Sequence, residues 1–223
     1  MAEKREKNKK SALFEDSTHL TLDLSRTVAR EIFHRHPKPW DAVYHIRDHI
    51  RRNGDLLPYS EYDEIAEDIW VHVSAYVSPT ARIDAPAIIC GGARLCHHSH
   101  VEGSVIGSFA TVGEMSIVKN SILFDRSSLC AHGSISSSII GYEALLGSGS
   151  SAVDLRLDGM TVTFEMPEGL YVTGRDRLGC VICDGVKVGA GCVINPGTVI
   201  DTGTVVHPLT TVSGYVYPYS TVK

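Results

Sequence analysis

Aliphatic residues recur at every sixth position in two long stretches of this chain. The first stretch contains Val71, Val77, Ile83, Ile89, Leu95 and Val101, and the second contains Ile182, Val188, Ile194, Ile200, Val206 and Val212. A small or β-branched residue follows most of them four positions later, as at Ala75, Ala81, Thr198 and Thr204. Neither the 3.6-residue period of a helix nor the two-residue period of a strand produces this pattern. A coil of short parallel strands does, with one strand and one corner in each repeat.

Between residues 101 and 146 the spacing of the aliphatic positions shortens in a regular way. The steps are 5, 6, 6, 5, 6, 6, 5 and 6 residues, along Val101, Ile106, Val112, Val118, Leu123, Leu129, Ile135, Ile140 and Leu146. One shortened step in every three is expected of a coil with three sides, whose turns then repeat every 17 residues rather than 18. The sequence therefore predicts an all-β, triangular parallel β-helix over residues 69–223, with each turn stabilised by stacking on the last.

The repeat is interrupted at about residues 150–180. Gly159, Pro167, Gly169 and Gly174 supply turn signals there, and charged residues gather between them. An excursion from a regular scaffold often carries function. The alternative interpretation is a hairpin or swapped arm that grips a neighbouring subunit.

The first 68 residues lack the repeat. Residues 1–20 are rich in Lys and Glu without periodicity, which predicts a frayed arm, and residues 21–68 predict a helical lead-in. One predicted helix begins at an N-cap at Ser25 and is stopped by the His-Pro-Lys-Pro stretch at 36–39, and Asp41 caps a second. Helices this short are unstable alone in water. We therefore expect them to pack on the first turn of the coil, as a cap or as an oligomer contact.

Composition narrows the class of protein. The hydrophobic fraction is 43%, the aromatic fraction is 7% and there are 20 glycines, which suits a coil with tight corners. The net charge of −5 argues against nucleic acid as a partner. No apolar run approaches the ~20 residues that a membrane span needs. The charged N-terminus also lacks the apolar region of a signal peptide, so we expect a cytoplasmic protein without a membrane partner.

The cysteine and histidine residues are candidate metal ligands. Most of the six cysteines occupy small positions of the repeat, where a reduced Cys packs as a small hydrophobe. Cys180-x-x-Cys183 has no second pair, and the cluster Cys96-His97-His98-Ser99-His100 lacks an identifiable third and fourth ligand. The sequence therefore predicts no metal site. His98 and His100 face the same way from a strand, towards a substrate or towards solvent.

The segments that link the repeats resemble a known acetyltransferase module. They are Ser116-Ile-Val-Lys119-Asn-Ser-Ile-Leu-Phe124, Ser138-Ile-Ile-Gly141, Gly147-Ser-Gly149, Leu155-Arg-Leu-Asp-Gly159 and Thr173-Gly-Arg-Asp-Arg-Leu-Gly179. In this order they resemble the left-handed β-helix half of the bifunctional sugar-1-phosphate nucleotidylyltransferase/acetyltransferases. The lead-in and the stretch GDLLPYSEYDEIAEDIWVHVSA are similar to stand-alone UDP-N-acetylglucosamine pyrophosphorylase-related proteins. The resemblance covers about residues 20–223.

The resemblance implies a left-handed coil, a homotrimer and acetyl-CoA as co-substrate. It also implies an amino-sugar phosphate or a related nucleotide-sugar precursor as acceptor, and a place in nucleotide-sugar metabolism. We expect no nucleotidyltransferase activity, because residues 1–68 are too few and too poor in glycine for the nucleotide-binding domain that this activity requires.

The resemblance also implies which residues carry the chemistry. Acetyl transfer to an amine needs a base, and the phosphates of both substrates need Lys or Arg. The implied base is His132, although the family's His position falls on Ala131. The implied substrate-binding residues are Lys119, Asp154, Arg156 and Asp158. His98 and His100 are candidates for substrate binding on their own pattern and not on the resemblance. The residues implied for acetyl-CoA are Arg175, Arg177, Lys187 and Gly189.

Three further positions depart from the family pattern and leave alternatives open. Ser134 replaces a Tyr, Glu102 replaces a phosphate-binding Arg, and Asp154 replaces an Asn. One hypothesis is a trimeric hexapeptide acyltransferase whose acceptor differs from that of the family. The other is a catalytically degenerate trimeric binding or scaffold protein, which need not bind acetyl-CoA. Within the first hypothesis, a histidine stacked on a turn next to His132 could replace the displaced base.

Overall fold

The computed structural model describes residues 20–36 and 38–223. The arm predicted at residues 1–20 lies outside them except for Leu20, which is buried. The described chain forms a left-handed parallel β-helix of about 9 turns, preceded by short helices. The predicted fold class is confirmed.

The coil has three flat faces, and each regular turn contributes one strand to each face. Two strands, β4 (Arg82–Ile89) and β6 (His100–Ile106), bend across a corner and contribute to two faces. Face 1 contains the first halves of β4 and β6, then β8 (Ile117–Lys119), β11 (Ser134–Ser136), β14 (Ser151–Ala152), β19 (Val193–Ile194) and β22 (Thr211–Val212).

Faces 2 and 3 complete the triangle. Face 2 contains β1 (Tyr62–Ala66), β2 (Ile69–His72), the second halves of β4 and β6, β9 (Ile122–Leu123), β12 (Ile139–Ile140), β17 (Val181–Ile182), β20 (Val199–Ile200) and β23 (Tyr215–Val216). Face 3 contains β3 (Tyr76–Val77), β5 (Arg94–Leu95), β7 (Thr111–Val112), β10 (Ser128–Leu129), β13 (Leu145–Leu146), β18 (Lys187–Val188), β21 (Val205–Val206) and β24 (Thr221–Val222).

The strand register confirms the lengths of the turns. On face 3, Leu95 pairs with Val112, Val112 with Leu129 and Leu129 with Leu146, so each of these turns takes 17 residues. The next pair is Leu146 with Val188, because the excursion is inserted in that turn. The aliphatic side chains at these positions point to the axis of the coil and form one continuous buried core. Stacking therefore buries the side chain at each inward position against the equivalent side chains of the turns above and below.

The helical lead-in is more broken than predicted. A 3₁₀ turn at Leu24–Arg26 precedes three helices, α1 (Arg30–Arg35), α2 (Pro39–Tyr44) and α3 (Ile46–Gly54). Ser25 is not an N-cap, because Asp23 holds that place and its Oδ1 accepts the Ser25 N–H at 3.0 Å. Helix α2 begins two residues before Asp41, since the missing N–H of Pro39 costs nothing in the first turn of a helix. None of the described helices is long and apolar enough to cross a membrane.

The helices pack along the side of the coil, from its first turn, where the ring of Trp70 lies against Gly54, to later turns. The predicted packing on the first turn is present, and the contact extends further along the coil than expected. The apolar side chains of the helices form a second core with the outer side of face 2. The residues of face 2 that point outward into this core are Ile88, Val105, Ile122, Ile139, Val181 and Val199. Each precedes an inward-facing aliphatic residue, so face 2 is apolar on both sides and must be covered on both.

The excursion folds back on the same chain. It contains an antiparallel hairpin of β15 (Thr163–Met166) and β16 (Gly169–Val172). The ring of Phe164 stacks on Trp40 of α2, and Tyr171 lies beside the same indole. The excursion therefore forms a hairpin, and this hairpin packs on helix α2 of the same chain.

Candidate functional site

A cleft of about 920 Å³ opens between face 1 and the base of the excursion. A volume of this size is in the range of small-molecule sites. Face 1 lines it with Ser134, Ser136, Val193, Asn195 and Ser213, and the excursion lines it with Asp154, Leu155, Arg156, Asp158, Thr163 and Glu165. The cleft thus brings together three residues that were predicted to bind substrate, Asp154, Arg156 and Asp158.

Asp154 ties the excursion to the coil at the edge of the cleft. Its Oδ2 accepts a hydrogen bond from Ser137 Oγ at 2.9 Å, and its Oδ1 lies 3.2 Å from Arg177 Nη1. Leu155 and Arg177 also form a short antiparallel bridge. Arg177 was predicted to bind acetyl-CoA, but its guanidinium is occupied where the two ends of the excursion meet.

Arg156 and Asp158 pair with each other inside the cleft. Arg156 Nε lies 3.0 Å from Asp158 Oδ1, and a second nitrogen of the guanidinium contacts Oδ2. The Met160 N–H also donates to Asp158 Oδ1 at 3.0 Å. The guanidinium and this N–H lower the pKa of Asp158 to about 2, so the carboxylate is ionised at neutral pH.

Glu165 is placed in the cleft by the alternation of β15. Successive side chains of a strand point to opposite sides, so Phe164 points to Trp40 while Thr163 and Glu165 line the cleft. Within the described ranges, 20–36 and 38–223, no salt bridge or hydrogen bond engages the Glu165 carboxylate. No motif in the sequence distinguishes this residue.

Face 1 also carries an oriented histidine. His100 Nε2 lies 2.8 Å from Asp84 Oδ2, and Arg82 Nε lies 2.9 Å from Asp84 Oδ1. The Arg82 hydrogen bond and the His100 contact lower the pKa of Asp84, so this carboxylate is ionised at neutral pH. A charged carboxylate on one ring nitrogen fixes the orientation and tautomer of an imidazole.

His100 lies in the same row of face 1 as a residue of the cleft. His100 pairs with Ile117, and Ile117 pairs with Ser134, which lines the cleft. Two steps between neighbouring strands amount to about 10 Å. A ligand in the cleft that extends along face 1 would therefore reach the imidazole.

Lys119 is paired with the carboxylate that departs from the family pattern. Lys119 Nζ lies 3.3 Å from Glu102 Oε2, and Arg47 Nη1 lies 3.3 Å from Glu102 Oε1. Burial alone would raise the pKa of Glu102, but the two cations together hold it below its ordinary value. Glu102 therefore holds the cation that was predicted to bind an anionic substrate.

One group of three side chains in the described part of the chain has the composition of a metal site. Ligand atoms of Asp84, His100 and Glu102 lie within 4.8 Å of one another. Arg82 pairs with Asp84, and Arg47 and Lys119 pair with Glu102. A metal ion there would face three positive side chains and would have to displace them. We assign no metal to this group.

His132 and His98 occupy one corner of the coil, between faces 3 and 1. Both have positive φ, 59° and 57°, and both side chains are exposed. Met115 holds the equivalent corner between them, since its N–H bonds to His97 O while the His132 N–H bonds to Glu114 O. His98 is thus two turns from His132, and the expectation of adjacent turns was wrong. No side-chain hydrogen bond or salt bridge of the described residues orients His132.

The residues predicted for acetyl-CoA are separated in the structure. Arg175 lies over the ring of Tyr44, 3.1 Å from its centroid, on the side of the helices. Lys187 is exposed on face 3 and makes no salt bridge within the described part of the chain. Gly189 follows it at the corner between faces 3 and 1, where an added Cβ would lie 2.5 Å from Pro208 N. Lys187 and Gly189 share a region of the surface, and the two arginines lie elsewhere.

Cys180 and Cys183 do not face each other. Cys180 belongs to the inner core and Cys183 to the outer core, so their side chains lie on opposite sides of face 2. Burial raises the pKa of Cys180 to about 12 and that of Cys183 in the same direction, which disfavours the thiolate that a metal needs. These cysteines pack as small apolar residues.

Several predicted residues have partners that their own motifs do not indicate. The pair of Asp84 and His100 could have been found by aligning turns, because Ile83 and Val101 are recognisably inward and their neighbours lie side by side on face 1. Glu165 could not, because its place depends on how the hairpin packs on α2.

Comparisons with known proteins find only distant similarity. No family model matches the chain. The chain is 26% identical over 102 residues to YaiX, an uncharacterized acetyltransferase of Escherichia coli (strain K12), and the match covers 46% of this chain and 37% of YaiX. The chain thus matches well under half of this relative's length.

The chain is also distantly similar to solved structures of three other proteins. The acetyltransferase domain of PglB from Neisseria gonorrhoeae FA1090, in complex with acetyl coenzyme A, is 20% identical, with coverage of 58% of this chain and 52% of that chain and a TM-score of 0.31. PerB from Caulobacter crescentus, in complex with CoA and GDP-perosamine, is 19% identical, with coverage of 64% and 50% and a TM-score of 0.29. A hexapeptide transferase family protein from Anaplasma phagocytophilum is 17% identical, with coverage of 65% and 73% and a TM-score of 0.34. At these levels of similarity, they carry no argument about what this chain binds.

Proposed function

We propose that this protein is an acetyl-CoA-dependent acetyltransferase that transfers the acetyl group to a primary amine, as part of a homotrimer. The linking motifs and the sequence similarity to an acetyltransferase support the class of reaction. The observation that carries the proposal is the pair of His100 and Asp84, 2.8 Å apart, in the same row of face 1 as the cleft. The amino sugars implied by the resemblance are acceptors of this kind, and their phosphate is considered below.

His100 has the arrangement that a general base requires. The neutral imidazole donates its Nε2 hydrogen to the ionised Asp84 and leaves Nδ1 as the proton acceptor. The amine nitrogen attacks the thioester carbonyl, a C–N bond forms, the C–S bond breaks, and the amine proton passes through the imidazole to the departing thiolate. Asp84 stabilises the imidazolium while it carries the proton.

His132 is the base that the resemblance implies, and it lacks such a partner. It stands at an exposed corner near Ser134, so it could contact a ligand, but nothing in its surroundings fixes the ring. We therefore assign the base to His100 and keep His132 as the competing assignment. Replacing the two residues separately distinguishes them.

Lys187 is the residue that we propose for the acidic part of acetyl-CoA. It is exposed, unpaired within the described chain, and one corner away from face 1. Of the other cations predicted for this role, Arg175 stacks on Tyr44 and Arg177 pairs with Asp154. A trimer would bring residues of a neighbouring subunit to the surface around Lys187. Size-exclusion chromatography with light scattering measures that assembly directly.

The experiment is acetyl transfer followed by release of the CoA thiol, with acetyl-CoA binding measured separately by calorimetry. His100→Asn is expected to lower kcat/KM by about 10²–10⁴-fold, the contribution of a general base, with little change in acetyl-CoA binding. His132→Asn is expected to change kcat/KM by less than about 3-fold. The reverse result would assign the base to His132.

Binding of acetyl-CoA also separates the enzyme from the alternative class. A degenerate scaffold protein of the same fold has no need of the thioester. Saturable binding without turnover on any amine would favour a binding protein, and absence of binding would contradict the proposed function altogether.

A further inference from the structure

Four of the five cations that were predicted to bind phosphate are occupied within the chain, and the fifth, Lys187, is the residue proposed above for acetyl-CoA. Arg156 is held by Asp158, Arg177 by Asp154, and Lys119 by Glu102. Arg175 is stacked on Tyr44. A phosphate in this region would have to break one of these pairs, and the carboxylate left behind would then repel it.

The cleft itself has more negative than positive side chains. It is lined by the carboxylates of Asp154, Asp158 and Glu165 and by the guanidinium of Arg156. Arg177 adds a second positive charge at the edge, where it contacts Asp154. Three carboxylates against two guanidiniums leave one negative charge, and Glu165 is the carboxylate without a cation. The cleft therefore favours a cationic or neutral ligand over an anion.

The rest of the lining suits a hydroxylated ligand. Ser134 and Ser136 present hydroxyls from face 1, and Asn195 presents an amide beside Ser213, to which its Nδ2 donates at 2.7 Å. Leu155 and Val193 supply apolar contacts for the carbon skeleton of such a ligand. Hydroxyl and amide groups hold sugars and related polyols without requiring a charge on them.

We propose that the acceptor is a hydroxylated primary amine that carries no phosphate, and that Glu165 binds its ammonium group in the cleft. This inference rests on the proposed function and narrows the class of acceptor. An amine arrives mostly protonated at neutral pH, and an unpaired carboxylate attracts that form into the cleft; the ammonium releases one proton to solvent before the neutral nitrogen reaches the thioester beside His100. The phosphate implied by the resemblance to sugar-phosphate enzymes is then not part of the ligand that this cleft selects.

The test compares hexosamines with their 1-phosphates by calorimetry, on the full chain with CoA bound and again without it. We expect the unphosphorylated amine to bind at least about 10-fold more tightly than its 1-phosphate at low salt. Glu165→Gln is expected to weaken binding of the hexosamine about 10-fold and to leave CoA binding unchanged. Glu168→Gln is the matched control, because it removes a carboxylate from the same hairpin outside the lining of the cleft.

The outcomes separate this inference from the proposed function. Tighter binding of the 1-phosphate, or no effect of Glu165→Gln, overturns the inference while acetyl-CoA binding leaves the proposed function standing. Failure of every hexosamine to bind also overturns the inference. Failure of acetyl-CoA to bind, with the hexosamine still bound through Glu165, overturns the proposed function and keeps the ligand class.

Discussion

The indole of Trp40 stacks on the ring of Phe164, with centroids 4.2 Å apart and ring planes 10° apart. This contact joins helix α2 to strand β15, which are more than a hundred residues apart in the chain. The other side of β15 lines the cleft through Thr163 and Glu165. A residue of the helical lead-in therefore positions one wall of the candidate site.

Trp40→Ala should both destabilise the protein and loosen that wall. The indole is 2% exposed, and truncation of a buried Trp typically costs about 3–5 kcal/mol. We expect this loss in urea denaturation, together with weaker binding of the hexosamine. Tyr59→Ala is the control, because its ring is 81% exposed and its loss should change stability by less than about 0.5 kcal/mol. Unchanged hexosamine binding in a folded Trp40→Ala protein would contradict the structural role of the stack.

Asp84→Asn should lower turnover without weakening acetyl-CoA binding. The amide keeps the shape of the carboxylate but removes the charge that stabilises an imidazolium on His100. We expect kcat to fall by about 10²-fold or more in the thiol-release assay, with calorimetric affinity for acetyl-CoA unchanged. Glu61→Gln removes the carboxylate beside another histidine, His72, at 3.8 Å and away from the cleft. Equal losses in both variants would show that the effect is not specific to the proposed base.

Substitution of Lys187 and substitution of Gly189 should have different effects, although both residues were predicted to bind acetyl-CoA. Gly189→Ala places a Cβ 2.5 Å from Pro208 N in the next turn, so we expect a loss of about 1–3 kcal/mol in stability. Lys187→Ala should leave stability within about 0.5 kcal/mol and weaken acetyl-CoA binding several-fold. Arg52→Ala is the charge control, on the helical side of the molecule. Acetyl-CoA binding that is lost equally in the Lys187 and Arg52 variants would mean a general effect of charge.

Asp184 should make the protein less stable as the pH rises from about 4 to 6. Its carboxylate accepts the N–H groups of Asp23 at 2.7 Å and Tyr142 at 2.8 Å, but burial raises its pKa to about 6. Between its ordinary pKa of 3.8 and 6, the folded protein keeps a proton that the unfolded chain has lost. The contribution of this group therefore favours folding below that window and is lost on passing above it.

The Asp184→Asn variant measures this contribution. Urea denaturation at pH 4, 5, 6 and 7 should give a free energy of unfolding whose slope against pH is more positive between 4 and 6 than in the unmodified protein. Asp63→Asn, at an exposed position in β1, should leave the slope unchanged. Parallel slopes for the unmodified protein and the Asp184→Asn variant would contradict the raised pKa.

The predicted coil was correct because its pattern is local and repeated. Once Val112 and Leu129 are recognised as inward positions, the length of the turn and the number of sides follow. The sequence also indicates that face 2 is covered on its outer side, since pairs such as Ile88-Ile89 and Ile139-Ile140 require burial on both sides. The start of the first helix was not predicted correctly, because Ser25 belongs to a separate 3₁₀ turn capped by Asp23 and helix α1 begins only at Arg30.

The candidate site was predicted only in part. Arg156 and Asp158, which were predicted to bind substrate, both line the cleft, and their pairing needs only two residues of separation. Two other contacts could not be foreseen. Asp154 meets Arg177 across 23 positions and Glu102 meets Arg47 across 55, so both contacts depend on how separate segments dock.

The sequence by itself determined a three-sided parallel coil, because each turn repeats the same few residues and any turn that buries its aliphatic side chains must stack on the next. The tertiary structure alone decided which segment covers face 2, where the hairpin packs and which of its charges neutralise each other. Those outcomes are contacts between segments that are distant in the chain, and a local repeat carries no information about such contacts.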